Sequence, residues 1–132
     1  MVYVIIGLFA VLGALLRDVI GQWTTLWWEG SFPVATFSIN ILGCFFLGWF
    51  SGHLKKLERI PPTIKTGVST GFIGSFTTFS TFSVETAHLF TNGHVLLAMI
   101  YLLLSYVGGF LCVFLGTKFG DWMMRNRRRV VK

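Results

Sequence analysis

The sequence predicts an all-α membrane protein with four transmembrane helices per subunit, and two counts and one anomaly support this. Of 132 residues, 54% are hydrophobic and only 12% are charged, about half the charge of an ordinary soluble domain. Four uncharged stretches recur along the chain, each near the ~20 residues that a bilayer-spanning helix needs. The third is unusually rich in glycine and hydroxyl residues for a helix facing lipid. The chain is therefore read as one transmembrane domain, 1–132, with spans at about 2–22, 32–53, 63–90 and 94–119 and a basic tail over 120–132.

The first span runs without a charge from Val2 to Leu16 and continues through Arg17-Asp18. A cleavable signal peptide is the rival reading. No basic segment precedes the apolar run and no small-residue cleavage site follows it, so the helix is expected to be retained. Trp23, Trp27 and Trp28 then read as an interfacial aromatic belt. After the second span comes Lys55-Lys56-Leu57-Glu58-Arg59, and Pro61-Pro62 stands where a third helix can start, since proline is tolerated in a first turn. The fourth span leads into Lys118, Arg125, Arg127, Arg128, Arg129 and Lys132.

The net charge of +6 reads as an orientation signal, not a nucleic-acid footprint. With four spans, the 55–65 connection and the tail fall on one side and hold ten of the eleven basic residues. The positive-inside rule then puts both termini in the cytoplasm of a multi-pass protein.

Soluble chemistry finds no constellation. Cys44 and Cys112 fall mid-span and read as buried apolar thiols, and His53, His88 and His94 fall near span ends without metal-ligand spacing. Five acids, Asp18, Glu29, Glu58, Glu85 and Asp121, form no catalytic pair, and no phosphate loop is present. The pattern argues against an enzyme.

The third span carries the anomaly. Residues 67–83 contain Gly67, Gly71 and Gly74 together with eight serines and threonines. Gly67-xxx-Gly71 is a small-residue packing surface, as are Gly48-xxx-Gly52 and Gly116-xxx-Gly120. Packing does not account for the five hydroxyls between Thr77 and Ser83. Two readings remain open: a hydrogen-bonded helix interface, or a helix broken around Gly74 to Thr78, mid-membrane, with backbone groups exposed to an ion. Phe79 and Phe82 share one helical face, and Ser80 and Ser83 a neighbouring one. Asn40 supplies an amide near the middle of the second span. Arg17 either snorkels, pairs with Asp18 or borders a conduction path, and Glu85 lies near the non-cytoplasmic end of the third span.

Together these residues resemble the Fluc (CrcB) family of small fluoride channels. The resemblance runs through Gly13-Ala14-Leu15-Leu16-Arg17, residues 36–43 around Asn40, and above all the Gly/Thr/Phe/Ser string 71–83. It implies two subunits assembled antiparallel around two narrow pores in the cell membrane. It also implies passive fluoride export and a structural Na⁺ at the dimer centre. Laid on this chain, Asn40 corresponds to a pore asparagine, Phe79 and Phe82 to paired pore phenylalanines, and Ser80, Thr81 and Ser83 to a polar track. Tyr101 and Ser105 fall on the pore side of the fourth span, Arg17 at the pore entrance, and the carbonyls of Gly74 and Thr77 at the sodium site; Glu85 is placed at an entrance by its own position near the span end.

Two alternatives belong to other classes. A small multidrug-type proton-coupled exporter needs a membrane-embedded acid, normally in the first span, where this chain has Arg17. A non-conducting partner subunit would keep the polar third span only as helix glue. The strong charge bias also favours an oppositely oriented homologue as partner over an identical copy.

Overall fold

The computed structural model describes residues 1–53 and 57–130, with side chains described up to 126. Every regular element among them is helical. In order these are α1 (Val2–Thr25), α2 (Val34–Gly52), α3 (Pro62–Thr66), a π-helical stretch (Gly67–Ile73), α4 (Gly74–Phe76), α5 (Phe79–Thr91) and α6 (Val95–Val130). Helices α1, α2 and α6 are each long and apolar enough to cross a membrane. At 1.5 Å per residue they measure roughly 36, 29 and 54 Å, against a hydrocarbon core of about 30 Å. The third predicted span is assembled from the shorter pieces between Pro62 and Thr91. The protein is a membrane protein, and the exposed faces of α1 and α6 are apolar: Leu8, Leu12, Leu15 and Phe110 all lie open.

Close packing comes from the small residues. Helix α2 packs chiefly on α6, and α1 on the π-helical stretch and α4. Gly48 and Gly52 face α6 at the backbone of Val113 and Thr117, while Gly116 and Gly120 face the backbone of Phe45 and Trp49. Gly67 and Gly71 meet α1 at Ile5, Ile6 and Phe9. With no Cβ in the way, backbones approach to direct contact and gain dispersion that lipid would otherwise supply. Ser75 adds a hydrogen bond across the same seam, from Oγ to the Ala10 carbonyl at 2.7 Å.

The third segment narrows its sequence reading at one place and adds to it at another. Gly74 is helical, at φ −64° and ψ −33°, so the irregular backbone does not begin there. The extended residues are Thr77 and Thr78, at ψ 157° and 124°. Thr78 stops one helix and starts the next because its hydroxyl caps α5, accepting a hydrogen bond from the Thr81 N–H at 3.2 Å. The π-helical turn was not foreseen. Thr66 and Ser69 each donate a hydroxyl to the carbonyl four residues back, Pro62 and Lys65, competing with the regular backbone ladder at its entry.

At the C-terminus the basic residues 120–130 continue α6. The turn into α6 is a Schellman motif. Gly93, at φ 79°, is the one described residue with positive φ; its N–H bonds to the Phe90 carbonyl and the His94 N–H to the Leu89 carbonyl at 2.8 Å. The Trp belt forms an edge-to-face chain, Trp23 on Trp27 at 5.4 Å and Trp27 on Trp28 at 6.4 Å.

Candidate functional site

The site grows from the extended pair Thr77-Thr78. An extended dipeptide inside a helical segment leaves backbone groups without their usual partners. The Asn40 side chain supplies them for Thr78: its Nδ2 donates to the Thr78 carbonyl and its Oδ1 accepts from the Thr78 N–H, each at 2.9 Å. The amide thus replaces a missing neighbouring strand. Because the Thr78 N–H turns to Asn40, it no longer reaches back to the Gly74 carbonyl, four residues earlier. The Thr77 N–H bonds to the Ile73 carbonyl at 3.1 Å, so neither N–H of the extended pair is directed to the Gly74 carbonyl. Uncommitted carbonyl oxygens are suitable ligands for a hard cation.

Asn40 opens on a cavity of about 350 Å³, mostly apolar, lined also by Gly74, Thr77, Thr78, Phe79, Phe82 and Ser105. Seven of the twelve sequence-predicted site residues contribute to this neighbourhood: Asn40, Gly74, Thr77, Phe79, Phe82 and Ser105, with Tyr101 directly behind Phe82, ring centroids 5.0 Å apart. The Phe79 and Phe82 rings lie 6.0 Å apart. Phe82 is buried, whereas Phe79 is 77% exposed, a large ring that the described residues leave open.

Behind Phe82 stands a second cluster. Tyr101, completely buried, donates its hydroxyl to Glu85 Oε2 at 2.9 Å, and Thr36 donates to Oε1 at 2.8 Å. Three helices, α2, α5 and α6, therefore meet on one carboxyl group. Glu85 in turn lines an open cavity of about 420 Å³ with His88, His94, Asn92 and Trp28. Tyr101 touches Glu85, which lines one cavity, and Phe82, which lines the other, and so links the two clusters. Removing either donor leaves a carboxyl oxygen unsatisfied, which costs about 1–3 kcal/mol. Thr36→Val and Tyr101→Phe are each expected to lower the thermal midpoint of the detergent-solubilised protein, and an unchanged midpoint would remove the cluster from the account.

The remaining predicted residues fall elsewhere. Ser80, Thr81 and Ser83 are exposed on α5 and line neither cavity. Thr81 accepts the Thr78 hydroxyl at 2.9 Å, and Ser83 donates to the Phe79 carbonyl. Arg17 is half-buried on α1. Of the three readings left open for it, a pair with Asp18 is not the one seen: Asp18 accepts from Gln22 Nε2, one turn on, at 2.7 Å, and adjacent residues point about 100° apart around a helix. Cys44 is half-buried, not buried, and lines the Asn40 cavity one turn beyond Asn40. Thr36 was missed as a site residue, although it stands four residues before Asn40 and hence on the same face.

The model of the family described as CrcB-like protein, Camphor Resistance (CrcB), matches residues 4–117. The chain belongs to the CrcB family. Among curated proteins it is 44% identical over 126 residues to the fluoride-specific ion channel FluC 1 of Bacillus cereus, covering 96% of this chain and 88% of that one. It is 48% identical over 106 residues to FluC 1 of Desulfitobacterium hafniense, covering 80% and 91%. It is 38% identical over 131 residues to FluC 2 of Listeria monocytogenes, covering 98% and 99%. The CrcB match spans both clusters, from Asn40 and Thr36 on α2 to Tyr101 and Ser105 on α6.

Proposed function

We propose that this CrcB protein is a passive fluoride-selective channel that lets the anion leave the cytoplasm through the cell membrane. The observation that carries the proposal is Asn40, held by both of its amide atoms against Thr78 while lining a cavity with Phe79, Phe82 and Ser105. One Nδ2 hydrogen is spent on the Thr78 carbonyl, and the amide has a second to offer an anion. Fluoride surrenders a large hydration energy on entering the membrane, so donors must replace its water. The free amide hydrogen, the Ser105 hydroxyl and the electropositive ring edges of Phe79 and Phe82 are such donors. None carries a full charge, and weak repeated sites allow the ion to leave again.

The exposed Phe79 and the open cavity beside it fit coverage by a second, inverted subunit, identical or homologous, which would complete the pore wall. The interrupted third segment then lies at membrane depth, where non-helical backbone is tolerated only against protein or a cavity. The Gly74 and Thr77 carbonyls of both subunits would hold a Na⁺, which would supply a fixed positive charge and a tie between the halves. Ser80, Thr81 and Ser83 extend the polar path, and Glu85 and Arg17 border its entrances.

With ten of eleven basic residues on one predicted side, both termini are assigned to the cytoplasm. A reporter fused to the C-terminus should then signal on that side only, and equal signals on both sides would contradict the fixed orientation. The ring assignment has its own test. Phe79→Ile keeps an apolar side chain but removes the ring edge, so fluoride efflux from proteoliposomes should fall at least tenfold. Unchanged efflux would take Phe79 out of the path.

A further inference from the structure

Helix α6 changes character along the face that turns away from α2. Gly116, Gly120 and Met123 point toward α2, where Met123 Sδ accepts from Trp49 Nε1 at 3.4 Å. On the opposite side Phe110 and Phe114 are followed at four-residue spacing by Lys118 and Trp122, then by Arg125, all exposed. Residues at this spacing share one helical face. The Lys118 ammonium lies 5.3 Å from the Phe114 ring centroid, and the Trp122 ring stacks on Phe119 at 5.9 Å. A hydrophobic stripe thus passes into a basic and aromatic one.

The depth of that change agrees with a membrane surface. Lys118 follows the start of α6 by 23 residues, or about 35 Å, near the far edge of a hydrocarbon core about 30 Å thick. Arg125 lies about 10 Å further on, beyond the headgroup layer's inner boundary. Between 118 and 129 the sequence has five basic residues against one acid, the half-buried Asp121. Lysine extending from the hydrocarbon edge, tryptophan at headgroup level and arginine beyond it complement a layer of negative phosphates.

We propose that the face formed by Lys118, Trp122 and Arg125 binds the headgroups of anionic phospholipids. The test uses the full chain in neutral detergent micelles containing equal amounts of phosphatidylglycerol and phosphatidylcholine, with retained lipids counted by native mass spectrometry. Each basic side chain near an anionic surface contributes about fivefold. The wild-type preference for phosphatidylglycerol should therefore fall roughly thirtyfold in Lys118→Gln/Arg125→Gln. Lys55→Gln/Lys56→Gln removes equal charge from the α2–α3 connection and should keep most of the preference. Equal loss in the two pairs would assign the effect to net charge and overturn the proposal, as would a wild-type protein without preference. A wild-type preference undiminished by molar salt would contradict it independently of any variant.

Discussion

Asn40→Asp is expected to abolish fluoride flux while leaving a protein that still inserts. The substitution is nearly isosteric, so the cavity keeps its volume, but it exchanges the amide's two hydrogens for an acceptor oxygen. The Thr78 carbonyl, which accepts from Nδ2 at 2.9 Å, then faces a carboxyl oxygen, and the hydrogen offered to a passing anion disappears. A carboxylate there would also repel fluoride directly. Losing one donor to a charged partner costs about 1.5–3 kcal/mol, which alone is a ten- to hundredfold fall in rate, and the repulsion adds to it. Asn40→Ala provides the comparison, since it removes the donor without adding charge and should lose less. Equal wild-type rates in both variants would place Asn40 outside the path.

The second large effect concerns folding. Gly116→Val is expected to prevent α2 and α6 from closing. A Cβ at Gly116 would overlap the Phe45 carbonyl oxygen and lie 2.8 Å from the Trp49 backbone nitrogen. These are backbone atoms of a helix held at four glycine contacts, so no side-chain rotation relieves the clash. Overpacking of side chains costs about 1–3 kcal/mol; here the helices must separate, and the cost reaches the scale of the whole marginal stability. Helices α2 and α6 also carry Asn40, Thr36, Tyr101 and Ser105, so the site fails with the seam. Gly7→Val is the control, because a Cβ there meets nothing within 4 Å. The yield of monodisperse protein on size exclusion should fall at least tenfold for Gly116→Val and stay near wild type for Gly7→Val. Comparable yields would mean that the glycine seam does not hold these helices together.

The seam was legible in the sequence because its signal is local: two glycines four apart on an otherwise apolar helix mark a face that another backbone can approach. Asn40 was legible for a similar reason, as an amide at membrane depth must find partners. Its partner was not. Which backbone groups a side chain serves depends on how two segments 38 residues apart are juxtaposed, and no spacing rule encodes that. The interruption shows the same division. Glycine and hydroxyl content pointed to the stretch from Gly74 to Thr78, and within it the backbone is extended at Thr77-Thr78, where a capping hydroxyl sets the position. Thr78 sits among four other hydroxyl residues between 77 and 83, and composition could not say which one caps.

The Glu85 cluster was half legible. Glu85 stood out as an acid near a span end, yet its two donors come from different helices. Thr36 shares a face with Asn40, so the hydroxyl-amide pair on α2 was readable as a stripe, though not its acid partner. The π-helical turn left no sequence signal beyond the hydroxyls that bond back to Pro62 and Lys65. The fourth helix runs on past the expected span, because charge marks where a helix leaves the membrane, not where it stops being a helix. Lys118, Arg125 and the residues between them continue α6.

The most direct test of the account is fluoride efflux from liposomes loaded with potassium fluoride and containing this chain alone, started by valinomycin and followed with a fluoride electrode. Rapid fluoride efflux, lost in Asn40→Asp, is the expected result, with no chloride release from a matched potassium chloride load read by a chloride electrode. No fluoride efflux from folded, reconstituted protein would contradict the central claim that this chain itself forms a fluoride pore.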